Sequence, residues 1–182
     1  MRTVITFLCA VSLAAFSAHA QLNWQFDNGP YFARIHDFAV GVKDGITILY
    51  AADSSEHSLL KSTNRGESWI HVLGGAGVHT YVRCVATVKN NPDIVYAGVL
   101  FASGGLQPGV YKSINGGTTW TYLQNQPANP FISRVAIHPT DNDRIWVGCF
   151  VYAPPPLFEP YPVLYKSTDG GPLGQISRLG SV

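Results

Sequence analysis

Residues 111–122 read YKSINGGTTWTY, and the phrase occurs three times. It stands earlier as LKSTNRGESWIH from Leu60 and begins again as YKSTDGGPLGQI from Tyr165. The opening serines, Ser62, Ser113 and Ser167, are separated by 51 and then 54 residues. Each phrase follows an apolar strand pair. FAVGVKDGITILYAAD begins at Phe38, VATVKNNPDIVYAGV at Val85 and VAIHPTDNDRIWVGC at Val135. Ala39, Ala86 and Ala136 share one register, as do Tyr50, Tyr96 and Trp146. Self-similarity at this period marks a repeat architecture, in which each copy is one supersecondary unit.

Each copy reads as four short strands. A β-branched run such as YVRCVATV is followed by a polar turn, KNNPD or HPTDND, then by IVYAGV or RIWVGC, a variable loop, and GVYKS. The repeated phrase then turns the chain into WTYL or WIHV. No segment sustains a helical apolar period. Four strands per copy is the content of one propeller blade. The expected fold is therefore all-β, a β-propeller of four-stranded blades, with about three blades at residues 31–73, 81–123 and 132–182. The phrase has a physical logic. Asn or Asp accepts hydrogen bonds from the following N–H groups, glycine supplies a backbone angle that a side chain opposes, and serine closes the turn from the other side. The tryptophan then starts the last strand and anchors the turn. The turn residues are Ser62, Asn64, Gly66 and Trp69, then Ser113, Asn115, Gly117 and Trp120, then Ser167, Asp169 and Gly171.

These phrases resemble the Asp-box, or BNR repeat, found in sialidases, xyloglucan-degrading glycoside hydrolases, sortilin-type receptor domains and photosystem assembly factors. The combination PDIVYAG…GVYKSxNGGxTW carries the resemblance, because two elements agree at fixed register. Two copies hold Asn where the family prefers Asp, and only Asp169 restores it. Asn makes the same turn without the charge, which points to a structural role. Propellers have about four to eight blades. The third copy loses the pattern at PLGQISRLGSV, so an incomplete propeller is expected.

The first 20 residues read as a signal peptide. Arg2 is the positive start, VITFLCAVSLAAF the apolar core and AHA the cleavage site. The expected location is exported, periplasmic or extracellular, with no membrane association after cleavage. Once Arg2 is removed, 11 basic side chains face 11 acidic ones. That balance provides no field to draw nucleic acid or anionic lipid. Cys84 and Cys149 lie in apolar strand-like runs and read as buried thiols, with a disulfide as the alternative in an exported chain. Neither has a neighbour at ligand spacing, so no metal and no cofactor is expected.

Ligand-binding residues are expected on the loops opposite the repeated turn, where a rigid scaffold carries function. The third of these loops is read as FVYAPPPLFEPYP, with Phe150, Tyr152, Phe158 and Tyr161 as rings for a glycan or a protein or peptide ligand. Packing on a neighbouring blade is the plainer role for the same rings. The inter-blade segments add His79, Tyr81, Asn125 and Asn129 to that face. A glycosidase needs two opposed carboxylates. In the xyloglucan-degrading enzymes the first catalytic Asp follows a Y-A-R-T-D strand end. The chain has Y-A-A-D, ending at Asp53, one residue short and without the Arg-Thr. Asp53 is thus a candidate for half a site, its alternative being a solvated turn residue. Arg34 in YFARIH echoes a sialidase arginine but fits an ordinary strand start. Two functional readings remain: an exported binding scaffold without a complete catalytic site, or the N-terminal part of a secreted glycoside hydrolase.

Overall fold

The computed structural model describes residues 34–55, 57–75, 79–126, 130–152 and 159–171. The signal-peptide reading, Asn129, Phe158 and the sequence after Gly171 lie outside them. Among the described residues there are eleven strands and no helix. They form three antiparallel sheets in chain order. Sheet one holds β1 (Ile35–Lys43), β2 (Ile46–Asp53), β3 (Ser58–Ser62) and β4 (Ile70–Gly74). Sheet two holds β5 (Thr80–Val88), β6 (Asn91–Ala102), β7 (Gly109–Ser113) and β8 (Thr121–Tyr122). Sheet three holds β9 (Phe131–Ile137), β10 (Ile145–Tyr152) and β11 (Pro160–Ser167). Each sheet is a meander, with every strand paired to its sequence neighbours.

The repeat register explains how the sheets stack. Ala39, Tyr50 and Leu59 of sheet one pack with Val85, Val95 and Tyr111 of sheet two. Tyr96 and Val110 of sheet two pack with Val135, Ile145 and Tyr165 of sheet three. Each sheet thus has two unlike faces. Phe38 precedes Ala39 as Val85 precedes Ala86 and Val135 precedes Ala136. The two valines are buried, whereas Phe38 is 48% exposed because its face of sheet one carries no further sheet in the described chain. At the other end of the stack, Phe131 and Phe150 pair across β9 and β10 and are likewise exposed.

Cys84 and Cys149 are free and buried in the core between sheets two and three. Burial pushes the Cys84 thiol up to about 12 and the Cys149 thiol up to about 11. Both are therefore protonated at neutral pH, and a protonated thiol is a poor nucleophile.

Candidate functional site

The repeated turn closes through short-range hydrogen bonds. Ser62 Oγ donates to Asn64 Oδ1 at 2.9 Å and accepts from Gly66 N at 2.9 Å. Asn64 Oδ1 also accepts from Ser68 N at 3.0 Å. The second copy reproduces the set. Ser113 Oγ lies 2.9 Å from Asn115 Oδ1 and from Gly117 N, and Thr119 N lies 2.9 Å from Asn115 Oδ1. In the third copy Ser167 Oγ donates to Asp169 Oδ1 at 2.6 Å, and Gly171 N donates to the same oxygen at 3.1 Å. The middle turn residues Arg65, Gly116 and Gly170 have φ of 62°, 67° and 60°, a left-handed backbone in all three copies. Trp69 Nε1 donates to Gly66 O at 2.9 Å. Trp120 Nε1 reaches both Gly117 O at 3.1 Å and Val72 O of sheet one at 2.7 Å.

The hydrogen bonds from Ser167 and Gly171 hold the Asp169 carboxyl below its ordinary range. A carboxyl depressed on folding contributes stability above its unfolded pKa and loses it as pH falls through the folded value. Asp169→Asn installs the neutral residue of the other two copies. It should flatten the acid limb of a melting-temperature profile below about pH 4 and leave the neutral limb in place. Parallel profiles for the two proteins would contradict this.

A second device links the sheets and was not read from the sequence. Lys61 Nζ donates to Gly116 O at 2.8 Å, and Lys112 Nζ donates to Gly170 O at 2.6 Å. Each lysine lies one residue before its turn serine and holds the turn of the next sheet. Each also sits over the ring of its own sheet, Tyr50 at 5.7 Å and Tyr96 at 5.5 Å. The tyrosines reach across too, Tyr50 Oη to Pro92 O at 2.8 Å and Tyr96 Oη to Gly170 O at 3.2 Å. Recurrence of Lys61, Lys112 and Lys166 at fixed register is the signal that could have revealed it.

The opposite ends of the sheets carry the loops. There Asp53 ends β2, fully buried. Its Oδ1 accepts from Arg34 N at 3.0 Å and Ser55 N at 2.8 Å. Asp53 is thus not a solvated turn residue; it ties the start of β1 to the end of β2. The third loop is also shorter than the sequence suggests. Phe150 and Tyr152 lie in β10, and Tyr161 lies in β11 and packs on the core between sheets two and three. Aromatic rings favour strands, and Tyr152 and Phe150 stand opposite Pro160 and Pro162 in the β10–β11 pair. Phe150 and Tyr152 remain exposed.

A separate ring cluster bridges sheets one and two on this face. Tyr81 and Phe101 are cross-strand partners with centroids 6.4 Å apart at 80°. The His36 ring lies 5.4 Å from Tyr81. Arg83 Nη1 contacts His36 Nδ1 at 2.7 Å. Since arginine only donates, Nδ1 is the acceptor and the neutral ring carries its proton on Nε2. That proton is donated to Tyr81 Oη at 2.7 Å, which leaves the phenol hydrogen to donate elsewhere. Phe101 is 66% exposed beside it. His57 and His79 form a nearby edge-on pair with centroids 5.0 Å apart. Among the described residues no group of three or more His, Cys, Asp or Glu side chains could hold a metal ion. The sequence placed His79 and Tyr81 on this face but missed His36, Arg83 and Phe101, which meet only across strands.

No family model matches the sequence. No curated protein matches it either. Solved structures do match the fold. One is a GH74 enzyme of Niastella koreensis, with TM-score 0.52 and 22% identity over 80% of this chain. Another is the GH74 xyloglucanase from Xanthomonas campestris, with TM-score 0.54 and 18% identity over 80% of this chain. The chain spans 22% of the length of each. At this identity the likeness is one of fold, and it joins three consecutive antiparallel sheets here to a portion of those much larger proteins.

Proposed function

We propose that the chain is a run of Asp-box propeller blades from an exported protein, and that it binds glycan on the face opposite the repeated turns without completing a catalytic pair of its own. The carrying observation is the His36–Tyr81–Phe101 cluster. It combines an exposed ring with a phenol whose hydrogen is free to meet a sugar hydroxyl. Ring faces bind sugars through apolar contact, and the phenol adds direction. The fold shared with a xyloglucanase supports a plant-type glucan as the first ligand to try.

The test is calorimetric titration of the protein with a xyloglucan oligosaccharide series. Saturable binding is expected, weakened about two- to twelvefold by Phe101→Ala, the equivalent of about 0.5–1.5 kcal/mol for a ring contact. Tyr81→Phe, which keeps the ring and removes the donor, should weaken binding by a similar factor. Absence of binding by the folded protein, or affinity unmoved by both changes, overturns the reading.

A second reading makes the chain part of a glycoside hydrolase, with Asp53 as one carboxylate. The likeness to two GH74 structures favours it. Against it, Asp53 is fully buried and accepts two backbone N–H groups. In a longer protein that cleaves xyloglucan, Asp53→Asn should abolish turnover without altering KM under this reading. Unchanged turnover removes it.

A further inference from the structure

The described histidines divide into two kinds. His36 is bonded to Arg83 and Tyr81, His71 Nδ1 lies 2.9 Å from Ser58 Oγ, and His138 Nδ1 accepts from Thr140 N at 3.3 Å. The rings of His57 and His79 have no hydrogen-bond or ion-pair partner among the described residues. These two uncommitted rings stand against each other, with centroids 5.0 Å apart at 84°. They belong to different sheets. His57 immediately precedes β3 of sheet one, and His79 immediately precedes β5 of sheet two. His57 is half-buried and His79 exposed, so solvent reaches the pair. An edge-on ring contact accounts for their closeness, but it leaves the ring nitrogens of both without a use.

The backbone holds both residues in place. His57 has φ of 53°, and its carbonyl accepts from Thr80 N at 3.0 Å. His79 N donates to Ser103 Oγ at 3.0 Å, and His79 O accepts from Ser103 N at 2.9 Å. Gly74 at the end of β4 permits the convergence, since a Cβ there would stand 2.6 Å from His57 O and 2.7 Å from Thr80 Cβ. The spacing of the rings suits one shared ion. An imidazole nitrogen about 2.1 Å from a metal puts its ring centre about 3.2 Å away, so two rings on one ion have centres about 4.5 Å apart at a square-planar angle and about 5.2 Å apart at a tetrahedral one. The observed 5.0 Å lies between these values.

We propose that His57 and His79 together bind one divalent first-row transition-metal ion, copper(II) most tightly, and that the ion fastens sheet one to sheet two at the loop end. Neutral imidazole is a good ligand for copper, zinc and nickel, and copper(II) heads the affinity order for such sites. Each histidine gives one ring nitrogen, and water fills the remaining positions. The ligands come from elements whose backbones are already braced, so the ion orders little beyond the two rings.

The probe is copper(II) chloride, titrated calorimetrically into the whole chain at neutral pH in a non-chelating buffer. A saturable site is expected. Two variants separate ligation from ring packing. His57→Asn keeps a residue that tolerates positive φ, and His79→Phe keeps an aromatic ring while removing its nitrogens. Each should weaken binding by more than the roughly tenfold lost with an outer-shell partner. The double variant should be little weaker than either single one, because a chelate needs both rings. His138→Ala should bind copper as the parent does. If either variant fails to fold, electron paramagnetic resonance of the parent with equimolar copper decides, through superhyperfine splitting from two nitrogens. Absence of saturable binding, loss in only one of the two variants, or a single-nitrogen spectrum overturns the proposal.

Discussion

Tyr96→Ala should destabilise the protein by about 3–5 kcal/mol, the cost of an aromatic-to-alanine change in a packed core. Against a total of about 5–15 kcal/mol for a typical domain, that leaves little folded margin. Tyr96 is fully buried between sheets two and three. Its burial pushes the phenol up to about 12. Removing the ring opens a cavity, strips Lys112 of the surface beneath its ammonium, and deletes the hydroxyl bond to Gly170 O. Tyr96→Phe is the informative partner. It keeps the volume and the lysine contact, and Lys112 Nζ still satisfies Gly170 O, so its cost should be about 1 kcal/mol. Urea denaturation of the three proteins checks both values. A small effect of alanine would mean that sheet three does not depend on this core.

Gly117→Ala should cost about 2–6 kcal/mol, from two sources that can be separated. Gly117 has φ of 91°, and a side chain there strains the backbone by about 1–3 kcal/mol. An added Cβ would also stand 2.8 Å from Val72 Cβ of sheet one, an atom held close to its backbone, which adds about 1–3 kcal/mol of overpacking. Gly45→Ala is the control. It has φ of 76° and nothing within 4 Å of the new Cβ, so it reports the backbone term alone. The difference in unfolding free energy between the two variants measures how tightly the second turn presses on the first sheet. Equal costs would show that the inter-sheet contact yields freely.

Legibility followed chain distance. The turn could be reasoned from Ser62, Asn64 and Gly66 because its bonds span four residues or fewer. The strands were legible because β-branched runs and polar turns recur in register. The lysine contacts were not, since Lys61 and Lys112 find their acceptors 55 and 58 residues away. Asp53 misled for the same reason. Its polar neighbours Ser54 and Ser55 suggest solvent, yet one of its donors arrives from Arg34, 19 residues upstream. In the third repeat the proline run drew the loop boundary too far back, over Phe150 and Tyr152, whose place in β10 is set by pairing with Pro162 and Pro160. On the loop face, Tyr81 could be named in advance, but its grouping with His36, Arg83 and Phe101 is a product of strand pairing.

Arg65 gives the stack a direction. Gly116 and Gly170 sit where a lysine from the preceding sheet arrives, and a Cβ at either would lie 2.5 Å and 3.1 Å from that lysine's Nζ. The first turn carries Arg65 at the matching position with the same backbone angle. A second molecule offering its third sheet, with Lys166, to the exposed face around Phe38 would therefore bring ammonium against guanidinium and side chain against side chain. Like charge at a close contact costs free energy that apolar burial must overcome. A copy of the chain docking there would have to set Lys166 against Arg65, a like-charge contact that would work against end-to-end polymerisation of a repeating strand architecture.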